Sequence, residues 1–325
     1  MAENAENEEK IFEHYLQLAS NVRMKIIDKM DPNDRCRLTR CSKRCNKEGK
    51  ASRKYIYELG VRFWPDFLKI LVIHGKYEDE IDIQNGFMLK FVKISEQKFM
   101  KYERFNSQVL WMIELDSSTN LVQYGLEIFK DCLNLHQDTI KNLEISEMWV
   151  SDHGIKLEDV DLKIKSLKNL ESLSLKGPFD IHQIFSKLQH PLKNVSVSRQ
   201  ANLKLIHYEQ IYQVQDSLSV WGVEFDNQQF LSLSAKKIEI NIGKLTEKDV
   251  FKFIRSWQNG TIGKEIRSCS WYFGGSNFDR RKFLRLLRYS NPDATEDLQI
   301  EIKHYKKVGK SAKLNYSNWE LKFFI

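Results

Sequence analysis

The chain is poor in cysteine and has no long apolar run. Five cysteines among 325 residues give no even disulfide framework, and we expect them to remain thiols in a reducing compartment. No stretch approaches the roughly twenty apolar residues that a membrane-spanning helix needs. The acidic start, residues 1–12, lacks the apolar core of a secretion signal. We therefore expect a cytoplasmic or nuclear protein that has no membrane partner.

The motifs of common catalytic and metal sites are also missing. The chain has no glycine-rich phosphate loop, no Gly-x-Ser-x-Gly turn and no pair of histidines four residues apart. Cys36, Cys41 and Cys45 are crowded together, but their spacing and the lack of a nearby histidine do not give the four ligands of a zinc site. The sequence thus predicts a non-catalytic protein that binds no metal and no cofactor.

What the chain has is enough apolar sequence for a sizeable core, since 42% of its residues are hydrophobic and 29% are charged. We divide it into a helical segment, 1–57, a bridging β/α region, 58–135, and a repetitive region, 136–325. The bridging region carries extended, aromatic-rich segments typical of a small antiparallel sheet, followed by an amphipathic helix. These features predict an α/β protein of more than one domain.

Three short helix signals fall between residues 16 and 55. Ser20 or Asn21 can cap the first helix, whose apolar residues recur every four positions. Asp31 and Pro32 then give the break and cap that begin a second helix, and Ser42 can cap a third, strongly cationic one. Helices this short bury too little surface to be stable alone, so we expect their exposed apolar face to bind a partner.

This segment resembles the F-box, a three-helix domain. The matching positions are Leu18, Ile26, Ile27, Met30, Asp31, Pro32, Asp34, Leu38, Cys41, Ser42, Lys43 and Arg44. One position departs from the pattern, because Ala19 replaces the proline of the usual Leu-Pro opening. The resemblance implies docking to a Skp-type adaptor and, through it, to a cullin scaffold. The residues we expect to contact the adaptor are Leu16, Leu18, Val22, Ile26, Ile27, Met30, Pro32, Leu38, Cys41, Lys43 and Arg44.

The net charge of +7 is concentrated in this same segment. Residues 34–54 contain nine basic and two acidic residues, so the rest of the chain is balanced. An acidic protein partner fits such a patch, and the resemblance implies one, because Skp-type adaptors are acidic. Nucleic acid is the alternative partner, bound by the basic helices 34–54 and by the lysines between Lys303 and Lys313. We consider nucleic acid the less favoured partner because the first patch lacks interleaved aromatic residues.

Beyond residue 136, short apolar alternations recur every 20 to 31 residues. They are Leu143/Ile145, Leu173/Leu175, Val195/Val197, Leu218/Val220, Ile238/Ile240 and Cys269/Trp271. Two of them extend into a form similar to the leucine-rich repeat, in which each unit supplies one strand and a covering segment. The sequence therefore predicts a degenerate leucine-rich-repeat-like α/β solenoid. An ordinary α/β domain with coincidental alternation is the alternative.

One unit is especially clear. Thr246 caps a helix in a capping box with Asp249, and the helix ends at Asn259-Gly260 with Trp257 on its apolar face, which we expect to be core. Residues 213–273 resemble the F-box-associated domain of type 2, which commonly accompanies an F-box. Together the resemblances imply a substrate-recognition subunit of a cullin-RING, SCF-type E3 ubiquitin ligase in the ubiquitin-like conjugation pathway. Its C-terminal domain would bind a target protein whose identity and binding face the sequence does not give.

Overall fold

The computed structural model describes residues 17–30, 56–64, 67–74, 87–104, 109–147, 161–177, 182–198, 211, 213–222, 227–241, 245–262, 265–273, 278–288, 298–305, 311–317 and 320–325. Its helices over these ranges are α1 (Ser20–Lys29), α2 (Leu121–His136), α3 (His182–Phe185), α4 (Asn227–Ser232), α5 (Glu247–Gln258) and α6 (Arg280–Leu286). Its strands are β1 (Ile56–Phe63), β2 (Phe67–His74), β3 (Phe87–Ile94), β4 (Gln97–Arg104), β5 (Val109–Leu115), β6 (Asn142–Glu147), β7 (Ser172–Lys176), β8 (Asn194–Ser198), β9 (Ser217–Trp221), β10 (Lys237–Asn241), β11 (Ser268–Tyr272), β12 (Leu298–Lys303), β13 (Ser311–Tyr316) and β14 (Glu320–Phe324).

All these strands belong to one sheet, in the order β12-β13-β14-β11-β10-β9-β8-β7-β6-β1-β2-β3-β4-β5. The central strands β1 and β6 to β11 are parallel to one another. Antiparallel strands flank them on both sides, β2 to β5 at one end and β12 to β14 at the other. The sheet is therefore continuous across residue 136, where we placed a domain boundary.

The six apolar alternations are the strands β6 to β11, and each pairs in parallel with the next along the chain. They enter the sheet through a repeated turn. The carbonyl of the residue before one strand accepts two backbone N–H bonds from the next unit, as the Lys141 oxygen does from Glu171 and Ser172 at 2.7 and 2.9 Å. The carbonyls of Glu171 and Lys193 do the same. Because each strand begins at the same hydrogen-bonded turn, neighbouring strands stay in register although the number of residues between them varies.

The core lies on one face of the sheet. Strand residues of alternate position are buried there, and the helices pack on them: α2 covers β2 and β3, and α4 and α5 cover the strands near β11. The rings of Phe230, Phe253 and Trp271 meet with centroids 4.9 to 6.3 Å apart. Trp257 is 1% exposed and lies edge-on to Phe323, which confirms its assignment to the core.

The predicted N-terminal cap is observed for α5 but not for α1. The capping box of α5 is present, with the Thr246 amide donating to the Asp249 carboxylate at 2.8 Å. The N-cap of α1 is Ala19, which has no side chain able to accept a hydrogen bond, so the cap that we expected from Ser20 or Asn21 is absent. The second and third helices of the predicted F-box, within residues 31–55, lie outside the described residues.

Candidate functional site

The exposed part of the docking segment is a short apolar ridge on α1. Leu18, Val22 and Ile26 follow one another at intervals of four residues and are 37%, 40% and 36% exposed. Helical geometry places Val22 and Ile26 above one another on one side of α1, and Leu18 lies one residue before the extended N-cap Ala19, at the entry of the helix. Neighbouring exposed aliphatic side chains form an apolar patch, so this ridge is suited to contact with another protein.

Of the predicted adaptor contacts, these three are exposed and two others are more buried. Ile27 is fully buried within the chain, so in this conformation it packs internally and offers no surface to a partner. Met30 is half-buried at the end of the helix. The remaining predicted contacts lie outside the described residues; they are Leu16, Pro32, Leu38, Cys41, Lys43 and Arg44.

The entry to α1 is held by the backbone and by a residue that the sequence pattern did not single out. The Ala19 carbonyl accepts from the amides of Val22 and Arg23 at 3.0 and 3.1 Å. The guanidinium of Arg23, which is 1% exposed, donates to the Leu18 carbonyl. Ala19 has φ −60° and ψ 147°, which is the conformation that proline prefers. Ala19 therefore already has a backbone conformation that a proline at this position could adopt.

The second candidate surface is the face of the sheet opposite the core, which we call the open face. On the central strands its side chains are half-buried or exposed and are mostly short and polar. They include Asn142, Ser172, Ser174, Asn194, Ser196, Ser198, Ser217 and Ser219, whereas Ser146 on the same face is buried. Short hydroxyls and amides make a shallow surface with many donors and acceptors, which suits recognition of an extended partner.

Charged and aromatic residues flank this polar zone on both sides. At the β9–β11 end, the rings of Trp221 and Tyr272 are 4.4 Å apart, and the indole N–H of Trp221 donates to the Ser219 hydroxyl at 3.0 Å. Burial and a hydrogen bond with Glu320 raise the pKa of Tyr272 to about 12. Burial alone would raise the pKa of the Glu320 carboxylate, but hydrogen bonds from Lys322 and Tyr272 outweigh it and keep the pKa below its usual value. Tyr272 is thus a neutral donor at physiological pH.

At the other end, β1 carries an ion pair across the parallel junction with β6. Arg62 donates from Nε and Nη2 to the two carboxylate oxygens of Glu144 at 2.8 and 2.7 Å. These hydrogen bonds raise the pKa of Arg62, whereas burial and the nearby Glu144 raise the pKa of Glu58. Arg62 is also the first of four cations that the strand register places side by side, opposite Lys69, Lys90 and Lys101 in turn. We call these four residues the cationic row.

Sequence reasoning missed the cationic row because register is not visible in one strand. The signal was partial: Lys69, Lys90 and Lys101 each lie in an extended segment between two hydrophobic residues. Only the pairing of β1 to β4 aligns them.

A charge ladder occupies the edge where the parallel strands begin. The Glu171 carboxylate forms ion pairs with the Lys193 Nζ at 2.7 Å and with the Lys141 Nζ at 3.3 Å. The Lys236 Nζ lies 2.7 Å from the Asp216 carboxylate. The hydrogen bond from Lys193, aided by Lys141, lowers the pKa of Glu171. Lys141, Glu171 and Lys193 border an open groove of about 640 Å³. Positive and negative residues alternate from one strand to the next, so ion pairs connect neighbouring strands. The ladder therefore has little net charge to attract a ligand.

The lysine segment that supports the nucleic-acid alternative is only partly described. Lys303 and Lys313 are exposed on β12 and β13, and Lys313 lies directly opposite Glu301. Tyr305 is 60% exposed, and its hydroxyl accepts a hydrogen bond from Arg255. Lys306, Lys307 and Lys310 and the basic helices 34–54 lie outside the described residues.

Within the ranges given above, no cluster of three or more His, Cys, Asp or Glu side chains is placed to hold a metal ion. None of the helices in those ranges combines the length and apolar character needed to cross a membrane.

Comparison with known proteins gives one result for the N-terminal segment. Residues 16–52 match the F-box domain, and α1 with its apolar ridge lies inside that match. No curated protein and no solved structure matches the chain. The match ends at residue 52, so the F-box-associated domain of type 2 over residues 213–273 stays a prediction from the sequence.

Proposed function

We propose that this chain is the substrate-recognition subunit of an SCF-type ubiquitin ligase. The observation that carries the proposal is the F-box domain at residues 16–52. F-box domains typically bind a Skp-type adaptor within SCF complexes, and the proteins that contain them are generally non-catalytic receptors. In the finer form proposed here, the α1 ridge docks the adaptor and the open face holds a target protein.

The ridge supports the first half of this proposal through its chemistry. Fully burying an aliphatic side chain contributes about 1.5–3 kcal/mol relative to leaving it exposed. Leu18, Val22 and Ile26 are each at least a third exposed, so a partner that covers them gains part of that amount at each position. The basic residues of 34–54 would add attraction to an acidic adaptor and speed the encounter rather than supply most of the affinity.

The open face supports the second half through its shape and position. It extends across parallel strands that repeat in register, and arrays of this kind offer extended surfaces to other proteins. We propose that the repeating units form a leucine-rich-repeat-like solenoid whose uncovered face is the target surface. The receptor then acts by position alone, because holding a target lysine near the ubiquitin carrier raises its effective concentration.

The first experiment is a pull-down of the full chain with a purified Skp-type adaptor, to which the proposal predicts stoichiometric binding. Leu18→Ala removes one ridge side chain and should weaken the complex, while a Lys43 substitution should mainly change its salt dependence. Absence of a complex at micromolar concentrations, with the chain folded, would refute the adaptor role.

The nucleic-acid alternative is separated from this proposal by the same preparation. Binding to duplex or single-stranded oligonucleotides near physiological salt, with no adaptor complex, would favour it. Within the described residues, the pairing of Lys313 with Glu301 reduces the cationic character of the second lysine segment.

A further inference from the structure

The cationic row is an arrangement that a sheet does not adopt without cost. Arg62 lies opposite Lys69, Lys69 opposite Lys90, and Lys90 opposite Lys101. Directly opposed side chains lie within about 5.5 Å at Cβ, and like charges there destabilise the sheet. Arg62 is compensated by Glu144, but the three lysines continue the positive charge outward over β2, β3 and β4.

Aromatic rings beside the row hold its ammonium groups in place. The Lys90 Nζ is 4.5 Å from the centre of the Phe67 ring, and the Lys69 Nζ is 5.4 Å from the same ring and 5.5 Å from that of Trp64. The two rings stack on each other at 4.7 Å. Cation–π contacts of this kind orient the ammonium groups without neutralising them. Burial and the neighbouring Lys90 lower the pKa of Lys69, a further sign of concentrated positive charge.

An anionic partner would relieve this repulsion, and the surroundings favour one class of partner. The ring faces of Trp64 and Phe67 are occupied by the chain's own lysines, so they are not free to stack on nucleic-acid bases. Glu103 lies next to the row and Glu144 at its end. These carboxylates would repel the continuous charge of a phosphate backbone, whereas separate side-chain carboxylates can be placed between them.

We propose that the cationic row binds an acidic segment of the target protein, one rich in Asp and Glu with apolar residues interspersed. Carboxylates of that segment would pair with Lys69, Lys90 and Lys101. The half-buried side chains of Val92 and Phe99, which lie beside Phe67 in the adjacent row across β2, β3 and β4, would contact its apolar residues. The inference rests on the proposed function because the segment is assigned to the target, and it names the chemistry by which the open face selects that target.

The test uses the full chain and a labelled, glutamate-rich peptide with interspersed phenylalanine, measured by fluorescence anisotropy. Its matched control peptide has glutamine at every glutamate position. Lys90→Glu should weaken binding of the acidic peptide at least about tenfold, because it replaces an attraction by a repulsion at the centre of the row. Lys101→Glu, at the end of the row, should weaken it by a smaller factor.

Folding and general charge are controlled separately. Lys90→Glu creates opposite charges next to Lys69 and Lys101, so its thermal unfolding temperature should not fall. Lys252→Glu makes the same charge change at an exposed position of α5, on the other side of the sheet, and should alter peptide binding less than about twofold.

Three results would overturn the inference. Lys90→Glu and Lys252→Glu could have equal effects, or the glutamine peptide could bind as tightly as the glutamate peptide. A single-stranded oligonucleotide could also bind more tightly than the acidic peptide and be lost in Lys90→Glu, which would assign the row to nucleic acid. Adaptor binding, measured on the same samples, reports on the proposed ligase role independently, so either claim can fail without the other.

Discussion

Two glycines lie on opposite sides of the sheet, and replacing each by alanine tests which face is covered. Gly125 is in the middle of α2 and faces the core, whereas Gly60 is in β1 on the open face. Neither has the positive φ that would by itself forbid a side chain. The two substitutions add the same methyl group, so any difference between them comes from its surroundings.

The distances give the expected sign at each position. A Cβ at Gly125 would lie 2.7 Å from the Leu68 Cδ2 and 3.1 Å from the Phe91 Cδ2, and both side chains are fully buried. Overpacking of this kind costs about 1–3 kcal/mol, against a gain of about 1 kcal/mol from better helix propensity. We expect Gly125→Ala to lower the free energy of unfolding by about 1 kcal/mol.

At Gly60 the nearest atoms to an added Cβ are the Leu71 and Glu144 Cβ atoms at 3.4 and 3.5 Å, which are ordinary contacts. Gly60→Ala should raise the free energy of unfolding by about 0.4–1 kcal/mol, because the unfolded chain loses conformational freedom. Urea denaturation of both variants beside the parent protein measures the difference. A stabilising Gly125→Ala with a destabilising Gly60→Ala would refute the assignment of covered and open faces, and with it the proposed target surface.

Two further predictions concern the helix entry and the charge ladder. Ala19→Pro should be tolerated because φ at this position is already −60°. It should also tighten the adaptor complex, since proline removes conformational freedom of the unfolded chain worth about 0.4–1 kcal/mol. Loss of adaptor binding would show that the helix entry has another conformation in the complex. Glu171→Gln should lower stability at neutral pH by at most about 1 kcal/mol, because the side chains of Glu171, Lys193 and Lys141 are all partly exposed to solvent. The pKa of Glu171 is depressed in the folded state, so this contribution is present above its ordinary value of 4.5 and disappears as pH falls through the lower folded value. Thermal melts of both proteins across that range should converge at acidic pH, and a constant difference would contradict the assignment.

Local patterns in the sequence predicted much of the fold. The alternations from Leu143/Ile145 to Cys269/Trp271 are strands because side chains of period two place one face in the core. The capping box at Thr246 and Asp249 identified the start of α5 because its signal is contained in four residues. In both cases the physical determinant is local.

The features that sequence reasoning missed depend on contacts between distant residues. Strand order and register place Arg62 beside Lys69 and Glu144, and no local pattern records those pairings. The cap of α1 was expected from a polar side chain, but backbone conformation at Ala19 and the buried Arg23 define that entry. Periodicity likewise could not show that Ile27 is buried within the chain while Ile26 is 36% exposed.

Docking of the adaptor through the α1 ridge is the central step of the proposed function. The decisive measurement is a calorimetric titration of a purified Skp-type adaptor into the full chain, into Ile26→Asp and into Asn21→Asp. Both variants add one negative charge to the same exposed helix, but only Ile26→Asp interrupts the ridge. We predict tight binding by the parent chain, nearly unchanged binding by Asn21→Asp and at least about a tenfold loss in Ile26→Asp, since burying an unpaired carboxylate is costly. Equal affinities for the two folded variants, or no binding by the parent chain, would contradict the account.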